Sequence, residues 1–360
     1  MNRIHGGNIR DYLEGNSSGV DKIIDFSANI NPLGIPPGAG KALMKNLDGI
    51  VHYPDPEGKH LKEGLASFHH TGYNNLLLGN GSIELIHLIP RALKAKKVLI
   101  VTPTFSEYEF AVKLNGSRPV FVKATERENF KINTLEIMKF IPGVDLVFLC
   151  NPNNPTGSYL PRDEISALSE LCAKNKTILV LDEAFMDFVE HSDEITMVPE
   201  ASKNKSLLIL RSLTKFFALP GLRLGYLMGH KDLIGRIAPF QYPWNVNSLA
   251  QVAGEEVLGD RGYIKKSKEY ILKERKALVA DLKKLEGLKV YTPSANFILC
   301  KLENGKIKRA KELSERLVEQ GMLIRRCHNF RGLSDRFFRV AVRKRNENAK
   351  LVSAMKGILK

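Results

Sequence analysis

The chain of 360 residues contains four cysteines, one tryptophan and no long apolar run. None of Cys150, Cys172, Cys300 and Cys327 forms a CxxC pair, which argues against a zinc or disulfide framework and for reduced, mostly buried thiols. No apolar segment approaches the roughly 20 residues of a membrane helix. Asp11 and Glu14 precede the first apolar stretch, so no secretory leader is expected. The expectation is a cytoplasmic protein without a membrane partner. Internal repeats and low-complexity tracts are also missing. Hydrophobic residues (43%) and charged residues (26%) lie near the average for folded domains, which excludes disordered and fibrous classes.

Acidic residues are scarce in one part only. Residues 261–360 hold 27 Lys and Arg against 10 Asp and Glu, whereas residues 1–260 hold 27 against 29. The formal net charge of +15 therefore arises wholly in the last hundred residues. Such a field suits nucleic acid, an acidic membrane surface or an anionic small substrate. The basic tail has no zinc-finger spacing, recognition-helix signature or RNP-like aromatic motif, so nucleic acid is not the expected partner.

Between about residues 95 and 230, short apolar runs alternate with amphipathic stretches. The runs are 98–101, 120–122, 146–150, 178–181, 207–210 and 224–228, bounded by Pro, Gly, Asn or charge. Runs this short suit strands buried on both faces, and a helical pattern such as 162–174 between them predicts an α/β domain with a mostly parallel sheet. Beyond Trp244 a helical stretch to about Lys284 leads into short strands (289–291, 297–302), a helix (307–320), further strands (322–325, 337–342) and a last helix. The domain reading is an N-terminal arm (1–40) packing on the small domain and active site, a large α/β domain (41–255) and a small α+β domain (256–360).

Two nucleotide-binding readings fail. The run Ile178–Leu181 followed by Asp182-Glu183 resembles an ATPase strand, but the glycine-rich stretch 34–42 has the wrong spacing, two prolines, and Ala42 where a Mg²⁺-binding hydroxyl belongs. No Gly-x-Gly-x-x-Gly follows a strand. A third constellation holds together. Asn151-Pro-Asn-Asn154-Pro-Thr-Gly157 follows one apolar run, Asp182 ends the next, and Ser212-Leu-Thr214-Lys215 follows another, with Gly221-Leu-Arg223-Leu-Gly225 close behind. Ligands of open α/β sheets bind outside the carboxyl ends of strands, where Asn154, Asp182 and Lys215 would project. A lysine among apolar residues, hydroxyls and an arginine suits Schiff-base chemistry.

On these motifs the chain resembles the fold-type I pyridoxal-phosphate enzymes of the class I/II aminotransferase superfamily, and the resemblance covers nearly its whole length. It implies that Lys215 carries pyridoxal 5'-phosphate as a Schiff base, that Asp182 keeps the pyridine nitrogen protonated, and that Asn154 donates to the phenolic oxygen. Phe105 would stack on the ring. Gly81 and Ser82, at a helix start, would cradle the phosphate with Ser212, Thr214 and Arg223. Tyr53 would reach the phosphate of a neighbouring subunit, which implies a homodimer. Arg339 would hold a substrate α-carboxylate. One departure stands out: where the family usually has Asp-x-Ala-Tyr, this chain has Asp182-Glu-Ala-Phe185.

The segments His5-Gly-Gly-Asn8, Asp25-Phe-Ser-Ala-Asn-Ile-Asn31, Pro243-Trp-Asn-Val-Asn247 and Arg325-Arg-Cys-His-Asn-Phe330 are similar to the threonine-phosphate decarboxylase branch of the cobalamin pathway. That likeness assigns His5, Asn31 and Arg325 to a small, anionic, phosphorylated amino-acid substrate. The alternative branch is histidinol-phosphate aminotransferase, which shares the lysine and a phosphorylated amine. It usually has tyrosine at the Phe185 position and lacks the His-Gly-Gly-Asn start. No metal-ligand spacing is present.

Overall fold

A computed structural model describes residues 5–10 and 23–360. Part of the expected N-terminal arm, including Asp11 and Glu14, lies outside the described residues. Thirteen strands are described: β1 (Ile24–Asp25), β2 (Leu76–Asn80), β3 (Lys97–Thr102), β4 (Arg118–Lys123), β5 (Leu146–Cys150), β6 (Ile178–Asp182), β7 (Leu207–Ser212), β8 (Leu224–Gly229), β9 (Leu288–Val290), β10 (Phe297–Leu302), β11 (Met322–Leu323), β12 (Arg325–Arg326) and β13 (Phe337–Ala341).

Seven strands form one sheet in the order β2-β8-β7-β6-β5-β3-β4. All run parallel except β8, which pairs antiparallel with β2 and β7. Each expected run in this region is a strand, and β2 joins them. Its short sequence, ending in Gly79-Asn80, reads as a loop approach to a helix rather than as a strand. Alternation along the strands feeds two cores. Leu99, Val101, Val147, Leu149, Leu179 and Leu181 pack into one face, and Val98, Ile100, Leu146, Phe148 and Val180 into the other.

The last third of the chain builds a four-stranded antiparallel sheet, β12-β13-β10-β9. The long helical stretch resolves into two helices, Ser248–Gly259 and Arg261–Leu282. Asp260 separates them by accepting from the Tyr263 backbone N–H at 2.8 Å, as a capping carboxylate does. The expected strand 322–325 is split: β11 pairs parallel with β1, while β12 belongs to the four-stranded sheet. Residues 24–26 are sewn into this region, since Phe26 N–H donates to Leu323 and Ala341 N–H donates to Phe26. All four cysteines are free and buried. No helix among the described residues is long and apolar enough to cross a membrane.

Candidate active site

Parallel strands deliver their carboxyl ends to one edge, and the antiparallel β8 delivers its start there. Asn80 pairs with Leu224, Ser212 with Gly225 and Cys150 with Asp182. The loops leaving β3, β5 and β7 thus meet the loop entering β8. A cleft of about 740 Å³ opens beside this edge, and Phe105, Asn154, Phe185, Lys215, Arg223, Arg325 and Arg339 line it together with His5 and Asn29.

Lys215 Nζ donates to Thr214 Oγ1 at 2.8 Å, and Thr214 Oγ1 is 2.7 Å from Ser212 Oγ. Burial, with Arg223 and Arg339 nearby, lowers the Lys215 ammonium to about 8, against the pull of Asp182. About a tenth of the amines are therefore neutral at pH 7, far more than for an ordinary lysine. Asp182 is buried at the end of β6. Its oxygens accept from Tyr108 Oη at 2.6 Å and from the Ala184 N–H at 2.9 Å. Burial raises the Asp182 carboxyl, while Tyr108, Ala184 and Lys215 oppose the shift. It has donors but no ion-pair partner among the described residues.

Gly81 opens the helix Gly81–Ala92 at a φ of +72°. A Cβ there would stand 2.4 Å from Arg223 Nη2, so only glycine lets the guanidinium approach the helix start. Arg223 itself is held at a φ of +58°, a left-handed conformation that costs a non-glycine residue on the order of 1 kcal/mol.

The opposite wall comes from the antiparallel sheet. Arg325 and Arg339 are register partners on β12 and β13, both buried. Arg339 donates to Asn154 Oδ1 and, at 2.8 Å, to the Ser27 carbonyl. Burial pulls Arg339 down to about 10, and Arg325 adds to the shift. Arg325 donates to Asn329 Oδ1 at 2.8 Å and lies 5.0 Å from the Phe330 ring centroid. Two cations opposite one another in a sheet repel, and both face a cleft.

The structure brings together Lys215, Asn154, Phe105, Arg223, Arg325, Arg339 and His5 as cleft-lining residues, with Ser212, Thr214 and Gly81 bonded to or packed against them, Asp182 coupled by charge to Lys215, and Ser82 following Gly81 in the first turn of its helix. It brings the Asn31 backbone beside the lysine, its N–H donating to the Lys215 carbonyl at 3.0 Å, but does not bring the Asn31 side chain into the cleft. The Asn31 amide donates to the Phe216 carbonyl and to Ser267 Oγ, both at 2.8 Å, and its oxygen accepts from Leu33. Asn29 lines the cleft instead, with its buried Oδ1 lacking a hydrogen-bond partner. Two residues apart in an irregular loop, the asparagines carry no periodicity that separates them by sequence. Tyr53 also stays out of its own chain's cleft; it is 81% exposed and rests 4.8 Å from the Trp244 ring. Tyr108 was missed by sequence reasoning, although its spacing of three from Phe105 was the available signal.

Residues 21–355 match the family of aminotransferases class I and II. A threonine-phosphate decarboxylase of Salmonella typhimurium is 38% identical over 360 residues, covering 100% of this chain and 97% of its own. The crystal structure of a histidinol-phosphate aminotransferase from Clostridium acetobutylicum superposes with a TM-score of 0.84 at 35% identity, covering 92% of this chain and 98% of its own. That of L-threonine-O-3-phosphate decarboxylase from Porphyromonas gingivalis gives 0.84 at 29%, covering 93% and 98%. The chain belongs to the aminotransferase class I and II family and has its fold-type I architecture, a large mostly parallel α/β domain joined to a smaller α+β one.

Proposed function

We propose that the chain is a pyridoxal-phosphate-dependent decarboxylase that converts L-threonine O-3-phosphate to (R)-1-amino-2-propanol O-2-phosphate for cobalamin biosynthesis. The observation that carries this reading is the pairing of two buried arginines, Arg325 and Arg339, in the cleft that holds Lys215. Two adjacent buried cations are costly unless an anion joins them, and this substrate carries a carboxylate and a phosphate. The full-length similarity to a threonine-phosphate decarboxylase supports the choice of substrate.

The residues fit the cofactor. A buried carboxylate without a cation, Asp182, suits a protonated pyridine nitrogen. The glycine at position 81, the Ser212 and Thr214 hydroxyls and the Arg223 fork suit a phosphate. Phe185, packed 5.0 Å from Phe297, offers no hydroxyl to the phenolic oxygen, so Asn154 is the donor that remains. When bound, pyridoxal phosphate supplies an electron sink for the pair left as a Cα bond breaks.

The chain's own residues then divide the work. Arg339 holds the α-carboxylate with a planar fork. Arg325 and His5 hold the distal phosphate and so fix which Cα bond stands perpendicular to the cofactor plane. Lys215 would hold the cofactor as a Schiff base and, as an ammonium bonded to Thr214, would supply the proton that replaces CO₂ at Cα. Tyr53, exposed beside the exposed Val51 and Trp244, suits a homodimer in which it reaches the partner's cofactor phosphate. We place the enzyme in the cytoplasm.

Transamination of histidinol phosphate is the second reading, favoured by the likeness to the Clostridium acetobutylicum aminotransferase. One experiment separates them. The protein with pyridoxal phosphate and L-threonine O-3-phosphate should release CO₂ and aminopropanol phosphate. With histidinol phosphate and 2-oxoglutarate it should form little glutamate. Rapid glutamate formation without CO₂ overturns the decarboxylase assignment.

A further inference from the structure

Glu107 opens the helix Glu107–Leu114, two residues after the cleft-lining Phe105. A carboxylate in a helix's first turn ordinarily faces water and interacts with the dipole. Glu107 is instead buried, at 3% exposure. Both oxygens meet imidazoles: His5 Nε2 lies 2.9 Å from Oε1 and His87 Nε2 lies 3.2 Å from Oε2. His87 stands on the helix that begins at Gly81. Glu107 therefore links the cofactor-binding half of the molecule to the chain's first described residue.

Residues of segment 5–10 line the cleft. The Gly7 N–H donates to Ser27 Oγ at 2.8 Å, and a Cβ at Gly6 would stand 2.1 Å from the Ser27 carbonyl oxygen, so the backbone passes flat across residue 27. The His5 ring leans on Phe105 at 5.7 Å, and its remaining bond is the one to Glu107. Terminal residues are ordered only where something ties them down.

We infer that Glu107 is a positioning residue that, braced by His87, holds His5 in the substrate half of the cleft and orients its ring so that Nδ1 faces an anionic ligand. A buried carboxylate needs a donor on each oxygen. Each imidazole must then donate from Nε2, and Nδ1 of His5 is the ring atom left to meet an anionic ligand, which it does as a second N–H donor, the imidazolium balanced by the Glu107 carboxylate. Glu107 acts on substrate through His5 alone.

This rests on the reading that His5 meets the substrate phosphate, and a double-mutant cycle on the holoenzyme tests the two separately. His5→Ala should raise KM for L-threonine O-3-phosphate about tenfold, the loss of one charge-assisted bond. Glu107→Gln should raise KM by a similar factor with kcat within about twofold. The double variant should be no worse than His5→Ala. Factors that multiply in the double variant, or a fall in kcat at unchanged KM, overturn the positioning role while leaving the His5 reading intact. An unchanged KM in His5→Ala overturns the His5 reading itself. Should Glu107→Gln fail to fold, His87→Asn tests the brace in the same cycle. Its smaller rise in KM should vanish in the His5→Ala background, and persistence there overturns the proposal.

Discussion

In the half of the cleft made by the seven-stranded sheet, every functional side chain stands at or beside a strand end, and neighbouring strands fix it through backbone pairing. In the other half, side chains come from a terminal segment, an irregular loop and the antiparallel strands β12 and β13, and side-chain bonds to distant parts of the chain add to the strand pairing. Asp182 is set by β6 pairing with β5 and β7. The Arg339 backbone is set by β13 pairing with β10 and β12, but its guanidinium is held by bonds to Asn154 and Ser27, which come from two distant parts of the sequence. The first half holds a constant partner and can be rigid. The second must choose a substrate, and its geometry depends on contacts that one substitution removes.

The comparison is broken most directly at Lys215. Lys215→Ala should lower turnover by about 10⁴-fold or more, and borohydride should no longer link the cofactor to the chain; a cofactor adduct by mass spectrometry would overturn its assignment. Next in size is Arg339→Met. It removes charge-assisted bonds from the substrate half, so KM should rise about 100-fold while cofactor affinity by fluorescence titration stays within about threefold. A matching loss of cofactor affinity would mean the halves are not separate. Gly81→Ala should do the reverse. A Cβ at positive φ and against Arg223 should weaken cofactor binding about tenfold, with KM unchanged at saturating cofactor.

The smallest effect concerns Lys215 in the cofactor-free chain. Its ammonium is lowered to about 8 in the fold against the usual 10.5, so the unfolded chain binds the extra proton between those values. Stability should therefore rise with pH from about 8 to 10.5, by about 1 kcal/mol after allowing for the lysine's partial exposure. Lys215→Met should flatten that rise in urea titrations; an equal rise in the variant would show that other groups cause it.

The sheet half was legible in the sequence because short apolar runs ending in Asn, Asp or Ser mark strand ends, and strand ends are where such sheets bind ligands. Asn154, Asp182 and Lys215 followed directly. The substrate half was legible only through resemblance. The pairing of Arg325 with Arg339 joins two consecutive short strands across an irregular loop, and the place of Asn29 rather than Asn31 on the cleft wall depends on β1 pairing with the distant β11; neither follows from local pattern. Tyr108 lay between: it stands in the motif that carries Phe105, but the face it turns toward Asp182 is set by the packing of Phe148 against its ring, 5.0 Å away.

The pairing of β1 with β11, and of Phe26 with Leu323 and Ala341, has a consequence for how the protein is made. Residues 24–29 leave the ribosome early, yet the strands that hold them in place are translated about 300 residues later. The sheet half can assemble while synthesis continues, but Asn29 has no fixed position until β11 and β13 exist. A nascent chain halted before Met322 would thus hold Asn154, Asp182 and Lys215 but lack Arg325 and Arg339, so on the proposed reading selectivity is acquired last.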